Sequence, residues 1–169
     1  MSTSIAAYTQ YLETNRDRHI ARIREFLRQP SVASANLGVR EGAELLVGYL
    51  QNLGFQDIDL IETDGHPGLF AYHDSRAEKT LVVYCMWDTK PASEAEWGGD
   101  PYAADIIEID GWGPAVRAPG AKGRKAPFVA FLNALEALKA VDGQLPVNVL
   151  VLGEGEENNG SPHYRAFVE

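Results

Sequence analysis

Two short apolar runs limit what this chain can fold into more than any other feature. Residues 80–87 read Thr-Leu-Val-Val-Tyr-Cys-Met-Trp and residues 147–152 read Val-Asn-Val-Leu-Val-Leu. A strand with one wet face alternates polar and apolar residues, whereas near-continuous β-branched and apolar runs belong to strands covered on both faces of a mixed or parallel sheet. Both runs are therefore read as central strands, and a sheet of that kind needs helices packed against it. The rest of the sequence supplies them. Apolar residues recur at helical spacing from Ile5 to Arg28, with a break expected near Asn15. A second helix is expected over 40–53, where Leu45, Leu46, Tyr49 and Leu50 form a stripe ahead of Gly54. Pro127 suits the first turn of a third helix, expected over 127–141, whose buried face is Phe128, Phe131, Leu132, Leu135 and Leu138.

Shorter strands are expected at 57–61, which alternates, at 68–72 and at 105–109, with Gly- and Pro-rich loops over 91–100 and 111–125. The fold class that follows is α/β, a three-layer sandwich with a mixed, mostly parallel sheet. At 169 residues the chain can bury one sizeable core. A helix that begins after Ser161-Pro162 is cut off at Glu169, so the sandwich reads as incomplete.

Charge and cysteine usage exclude several roles. The chain carries 24 Asp and Glu against 15 Lys and Arg, for a net charge of −9, and this repels phosphate backbones and anionic membranes. Neither nucleic acid nor a membrane is expected as a partner. The only cysteine, Cys85, lies inside an apolar run and reads as a buried small hydrophobe, which suits the reducing cytoplasm. No signal peptide or membrane anchor is visible, and the sequence lacks the common zinc-helix, paired-cysteine, nucleophile-elbow and phosphate-loop motifs.

Catalytic groups in α/β folds gather beyond the C-terminal ends of central strands. Two segments occupy such positions, Tyr84-Cys85-Met86-Trp87-Asp88-Thr89-Lys90-Pro91 and Gly153-Glu154-Gly155-Glu156-Glu157-Asn158-Asn159-Gly160-Ser161-Pro162. With Trp97 and Pro101-Tyr102, Lys125-Ala126-Pro127 opening a helix, and Leu145-Pro146-Val147-Asn148-Val149, they stand in an order and spacing that resemble a known family from about Ile20 onward. The chain is similar to the co-catalytic zinc peptidases of family M twenty, which includes aminoacylase, acetylornithine deacetylase, succinyl-diaminopimelate desuccinylase, carnosinase and glutamate carboxypeptidase.

The resemblance implies a phosphorylase/hydrolase-like catalytic domain, of which residues 1–169 would be the N-terminal part, without the C-terminal catalytic half or the dimerisation domain. It implies zinc as cofactor and hydrolysis of a peptide or N-acyl amino acid amide, in which two ions polarise the scissile carbonyl and acidify a bridging water. Matched residue by residue, the zinc histidine falls on Met86 and the aspartate that orients it on Asp88. The bridging carboxylate falls on Gly123, the general base on Glu157 and a further zinc ligand on Asn158. A one-residue shift at Asn158-Asn159 makes the glutamate pair Glu156 and Glu157 instead. Whatever the register, no Asp, Glu, His or Cys lies between Asp110 and Glu136. A thioether is a poor zinc ligand beside carboxylates, so zinc is not expected to bind here.

Asp88 and Glu157 are the surviving catalytic candidates. Arg117, Lys122, Arg124 and Lys125 are read as a solvated basic loop, His66 and His73 as exposed turn residues, and His163 as a surface or capping group. Three functions remain open: an amidohydrolase acting on a small peptide or N-acyl amino acid; a non-hydrolytic pseudoenzyme, or half-domain needing a complementary chain or a second copy; and metal-independent chemistry by the altered loop.

Overall fold

The computed structural model describes residues 5–169. Two helices open the chain, α1 (Ile5–Thr14) and α2 (Arg16–Arg28), and the break falls at Asn15 as the periodicity requires. Helix α3 (Val39–Asn52) follows, then β1 (Asp57–Ile61), β2 (Gly68–His73) and β3 (Thr80–Met86). After a four-residue helix α4 (Glu94–Trp97) come β4 (Asp105–Ile109), β5 (Gly113–Arg117), the long helix α5 (Lys125–Asp142), β6 (Asn148–Glu154) and a short α6 (Tyr164–Val168).

The main sheet has the order β1-β2-β6-β3. It is mixed, as expected. One of its three pairings, β3 with β6, is parallel, and the two that involve β2 are antiparallel, so the mostly parallel character does not extend to these four strands. Strand β6 is central and buried. Strand β3 departs from its expected central place: it is an edge strand, with Leu81, Val82 and Tyr84 exposed by 43, 59 and 43%. Its apolar run marks a strand suited to cover on both sides.

Strand alternation sorts the side chains by face. One face presents Ile58, Leu60, Leu69, Ala71, Val83, Cys85, Val149 and Val151 to the helices, where they meet Phe26, Leu46, Leu50, Phe128, Val129 and Leu132 in a single core. The register puts Phe70 beside Leu152 beside Tyr84, and Tyr72 beside Leu150 beside Val82, on the opposite face. There Tyr164 of α6 meets the Tyr84 ring edge-on at 5.5 Å.

Strand β5 forms a hairpin with β4 inside a segment read from sequence as loop. Pro114 concealed it, because proline cannot donate to a ladder; in a two-stranded ribbon every strand is an edge, where proline is tolerated. Helix α5 begins two residues before Pro127, which leaves the proline in the first turn, where its missing N–H is not needed.

Candidate functional site

Because β3 and β6 run parallel with Met86 opposite Glu154, the loops that follow them emerge side by side. The backbone N–H of Trp87 donates to Glu154 O at 3.1 Å and ties the two strand ends together. Trp87 itself is fully buried and donates its indole N–H to Val39 O at 2.9 Å. Gly155 sits against that ring; a Cβ there would lie 2.4 Å from Val39 Cγ1. The turn after β6 therefore requires a glycine, and its glutamates are displayed from a backbone packed onto the core.

Asp88 is wholly buried. Its Oδ1 accepts the Glu157 N–H at 3.2 Å, and its Oδ2 accepts the Asn158 backbone N–H at 2.8 Å and the Asn158 side-chain amide at 2.9 Å. The same Asn158 amide donates to Asp88 O at 3.1 Å. Asp88 thus fixes the loop that carries Glu157 and Asn158, and Asn158 serves as a donor to Asp88.

Arg124 completes the centre. Its Nη1 donates to Glu157 Oε2 at 2.5 Å, lies 3.2 Å from Met86 Sδ, and stands 3.8 Å from Asp88 Oδ1. A guanidinium is thus the cation around which Met86, Asp88 and Glu157 gather. It is always charged and offers five N–H donors in a planar fork.

The neighbouring Lys125 is 1% exposed; its Nζ donates to Phe26 O at 3.2 Å and to Gln29 O, and lies 4.8 Å from the centre of the Phe26 ring. It caps the C-terminal carbonyls of α2. Burial pulls its pKa from 10.5 down to about 7, while the Asp88 carboxylate pulls the other way. Gly120, at φ +85°, lets the loop wrap this side chain, since a Cβ there would lie 3.1 Å from Lys125 Cγ.

The basic loop is therefore not uniformly solvated. Arg124 and Lys125 turn to partners outside the loop, Glu157 for the one and the α2 carbonyls for the other, while Lys122 is exposed and Arg117 reaches Asp105 across the hairpin at 3.8 Å. Sequence reasoning missed both inward cations. The one signal for them was the absence of any acid between Asp110 and Glu136.

The remaining candidates do not converge. Gly123 lies on the loop beside Met86 and Arg124, and a Cβ added there would meet nothing within 4 Å. Glu154 is buried and accepts from the Tyr84 hydroxyl at 2.6 Å and from Ser161 Oγ at 2.8 Å. Burial, with Glu154 beside it, pushes the Tyr84 phenol well above its ordinary pKa. Glu156 turns to His163 Nδ1 at 2.8 Å, away from Glu157. His163 stands at the N-cap position of α6, as the expected surface or capping role allows, while its half-exposed ring pairs with the Glu156 carboxylate and makes no side-chain capping bond. His73 is also not exposed as expected: it is 6% accessible, with Nδ1 2.9 Å from Gly54 O, because β2 turns it toward the helices. Among the described residues, no group of three or more His, Cys, Asp and Glu side chains is placed to hold a metal ion. None of the helices is long and apolar enough to cross a membrane, again among the described residues.

Beside Arg124 a cleft of about 220 Å³ opens between the β3 loop and the loop before α5, lined by Thr89, Lys90, Pro91, Trp97, Pro119 and Asn158 among others. Trp97 is positioned by α4, whose N-terminus is closed by a reciprocal capping pair of Ser93 and Glu96.

The comparisons with known proteins agree with this architecture. Residues 87–169 match the model of peptidase family M20/M25/M40. The Cys-Gly metallodipeptidase DUG1 of Candida albicans is 30% identical over 167 residues, an alignment that takes in 89% of this chain and 34% of that protein. A Sulfolobus solfataricus M20 family metallo-carboxypeptidase is similar in structure with a TM-score of 0.76 at 34% identity, over 85% of this chain and 32% of that one. The Saccharomyces cerevisiae di-peptidase Dug1p shares the fold at a TM-score of 0.82 and 24% identity, over 99% of this chain and 38% of that one. The chain spans about a third of the length of the curated full-length relatives it matches. Conserved order of segments, a shared fold and a family match at the site-bearing half lead to one conclusion: the chain belongs to peptidase family M20/M25/M40.

Proposed function

We propose that this chain is a non-hydrolytic member of its family, which holds a small peptide or N-acyl amino acid in the ancestral cleft without cleaving it. One observation carries the reading: the Arg124 guanidinium sits 2.5 Å from Glu157 Oε2 and 3.2 Å from Met86 Sδ. A general base must be free to take a proton from water, and the Glu157 oxygen that would do so is already engaged by the Arg124 guanidinium.

The residues present do not suit zinc. The positions that the family resemblance assigns to ligands carry a thioether, a glycine and a neutral amide, and the amide is committed to Asp88. Divalent zinc favours thiolate, imidazole and carboxylate donors, and a fixed cation among them repels a second. Asp88 and Glu157 accordingly serve here as positioning and pairing groups.

A half-domain that works with a second chain is a further reading, favoured by the exposed apolar edge of β3. The buried thiol of Cys85 supports a cytoplasmic setting.

The test is hydrolysis of Cys-Gly, β-Ala-His and N-acetyl amino acids in the presence of added zinc. No turnover is expected. Turnover abolished by Glu157→Gln would overturn the reading and restore Glu157 as a base.

A further inference from the structure

Sulfur chemistry among the described residues falls on one side chain. The sequence holds one cysteine and two methionines, and Met1 lies outside the described residues. Cys85 is buried; burial, with the Glu154 carboxylate beside it, holds its thiol well above the ordinary pKa, so the reactive thiolate does not form. Met86 differs. It is half-buried at the end of β3 and lines a groove of about 300 Å³ with Tyr84, Gly123, Pro127 and Phe131, which admits a small neutral oxidant. Arg124 Nη1 donates to its Sδ at 3.2 Å and to Glu157 Oε2 at 2.5 Å. A thioether is a weak acceptor, and this contact covers one of the two lone pairs on its sulfur. Among the described residues, the contacts of Arg124 run through Nη1, which leaves Nε and Nη2 as donors.

We infer that Met86 is a redox modification site: hydrogen peroxide oxidises its thioether to the sulfoxide, and the new oxygen accepts a further N–H of Arg124, fastening that cation in the centre. In this step the open lone pair of Sδ attacks one peroxide oxygen. The S–O bond forms as the O–O bond breaks, and the proton of the attacked oxygen passes to the departing hydroxide, which leaves as water. Sulfur gives up an electron pair and the peroxide is reduced. Methionine sulfoxide usually disrupts its surroundings because an apolar side chain becomes polar; here a donor already stands beside it. A bond from a guanidinium N–H to the sulfoxide oxygen is charge-assisted and replaces a weak contact to sulfur. Nη1 stays on Glu157, so oxidation leaves that carboxylate engaged and holds Arg124 by a second anchor. Since Nη1 shields one lone pair, a single sulfoxide epimer forms, and a reductase specific for that epimer reverses it. The chemistry needs only the contact between Met86 and Arg124 and is independent of whether the cleft hydrolyses anything.

The experiment treats the full chain with hydrogen peroxide at a concentration that oxidises N-acetylmethionine, and locates the added oxygen by peptide mass spectrometry. Urea unfolding then compares treated and untreated protein. One added oxygen on Met86 and none on Cys85 is expected, with a higher unfolding midpoint. That upward shift is expected to be absent in treated Met86→Leu and lost or reversed in treated Arg124→Ala. Each comparison is made within one variant, so the cost of the substitution itself cancels. Met86→Gln, whose amide oxygen stands in for the sulfoxide, is expected to unfold at a higher midpoint than Met86→Leu, which gives a readout even where Arg124→Ala does not fold. One of the two epimer-specific methionine sulfoxide reductases is expected to restore most of the treated protein. Met86 left unoxidised, a midpoint lowered by oxidation, the same shift without Arg124, Met86→Gln no more stable than Met86→Leu, or equal amounts of the two epimers would overturn the proposal.

Discussion

Replacing Lys125 by Met isolates the contribution of a buried amine to stability. The amine is 1% exposed, and burial holds its pKa at about 7 against 10.5 for a free lysine. In the folded chain it loses its proton above about pH 7, while the unfolded chain keeps it to well above pH 9. The unfolded state therefore binds more protons across that window, and stability rises with pH. A depressed pKa works in this direction for a base: the gain is absent below about 7 and accumulates as pH climbs toward 10.5. Between about pH 6 and about pH 8.5 the folded amine passes one and a half units beyond its pKa, which at about 1.4 kcal/mol per unit gives about 2 kcal/mol.

The neutral amine still has two N–H groups for Phe26 O and Gln29 O, so deprotonation leaves the α2 cap satisfied. Methionine has a similar shape and does not titrate. Its absolute effect combines two unsatisfied carbonyls with a relieved buried charge. The pH dependence of the difference is free of that mixture. Urea unfolding of both proteins at several pH values is the assay, and the stability of the native sequence minus that of Lys125→Met is expected to rise by about 2 kcal/mol across the window. A difference that stays constant with pH would refute the argument that this amine is buried and titrates near neutrality.

Other substitutions test the frame of the site. Asp88→Asn places an amide where two N–H donors converge on Oδ2, and is expected to cost about 2–4 kcal/mol with an unchanged denaturant slope; a loss under about 0.5 kcal/mol would show that Asp88 does not hold the loop. Gly155→Ala drives a methyl into Val39 and the Trp87 ring and is expected to cost about 1–3 kcal/mol, read as a lower thermal midpoint. A neutral result would mean that this packing yields freely.

The helices and strands that carry strong periodicity were legible in the sequence. The break at Asn15, helix α3, both ladder strands at the site and helix α5 fall within a few residues of expectation. Family spacing correctly brought the Met86-Asp88 and Glu157-Asn158 segments together. What sequence could not supply was the interior cation. Local reading treats an arginine without a nearby carboxylate as solvated, whereas the partners of Arg124, Glu157 and Met86, lie 33 and 38 residues away. The edge position of β3 was hidden for a related reason: a strand's composition records how much apolar surface it needs covered, while its neighbours in the sheet depend on the whole fold. The burial of His73 likewise followed from strand register, since a one-residue difference decides which face a side chain occupies.

The central claim is that a guanidinium, and not a metal, is the cation of this cleft. Elemental analysis after equilibration with excess zinc and removal of free metal by gel filtration tests it directly. Zinc well below one equivalent per chain is expected. One or two equivalents retained, and lost on Glu157→Gln, would contradict it.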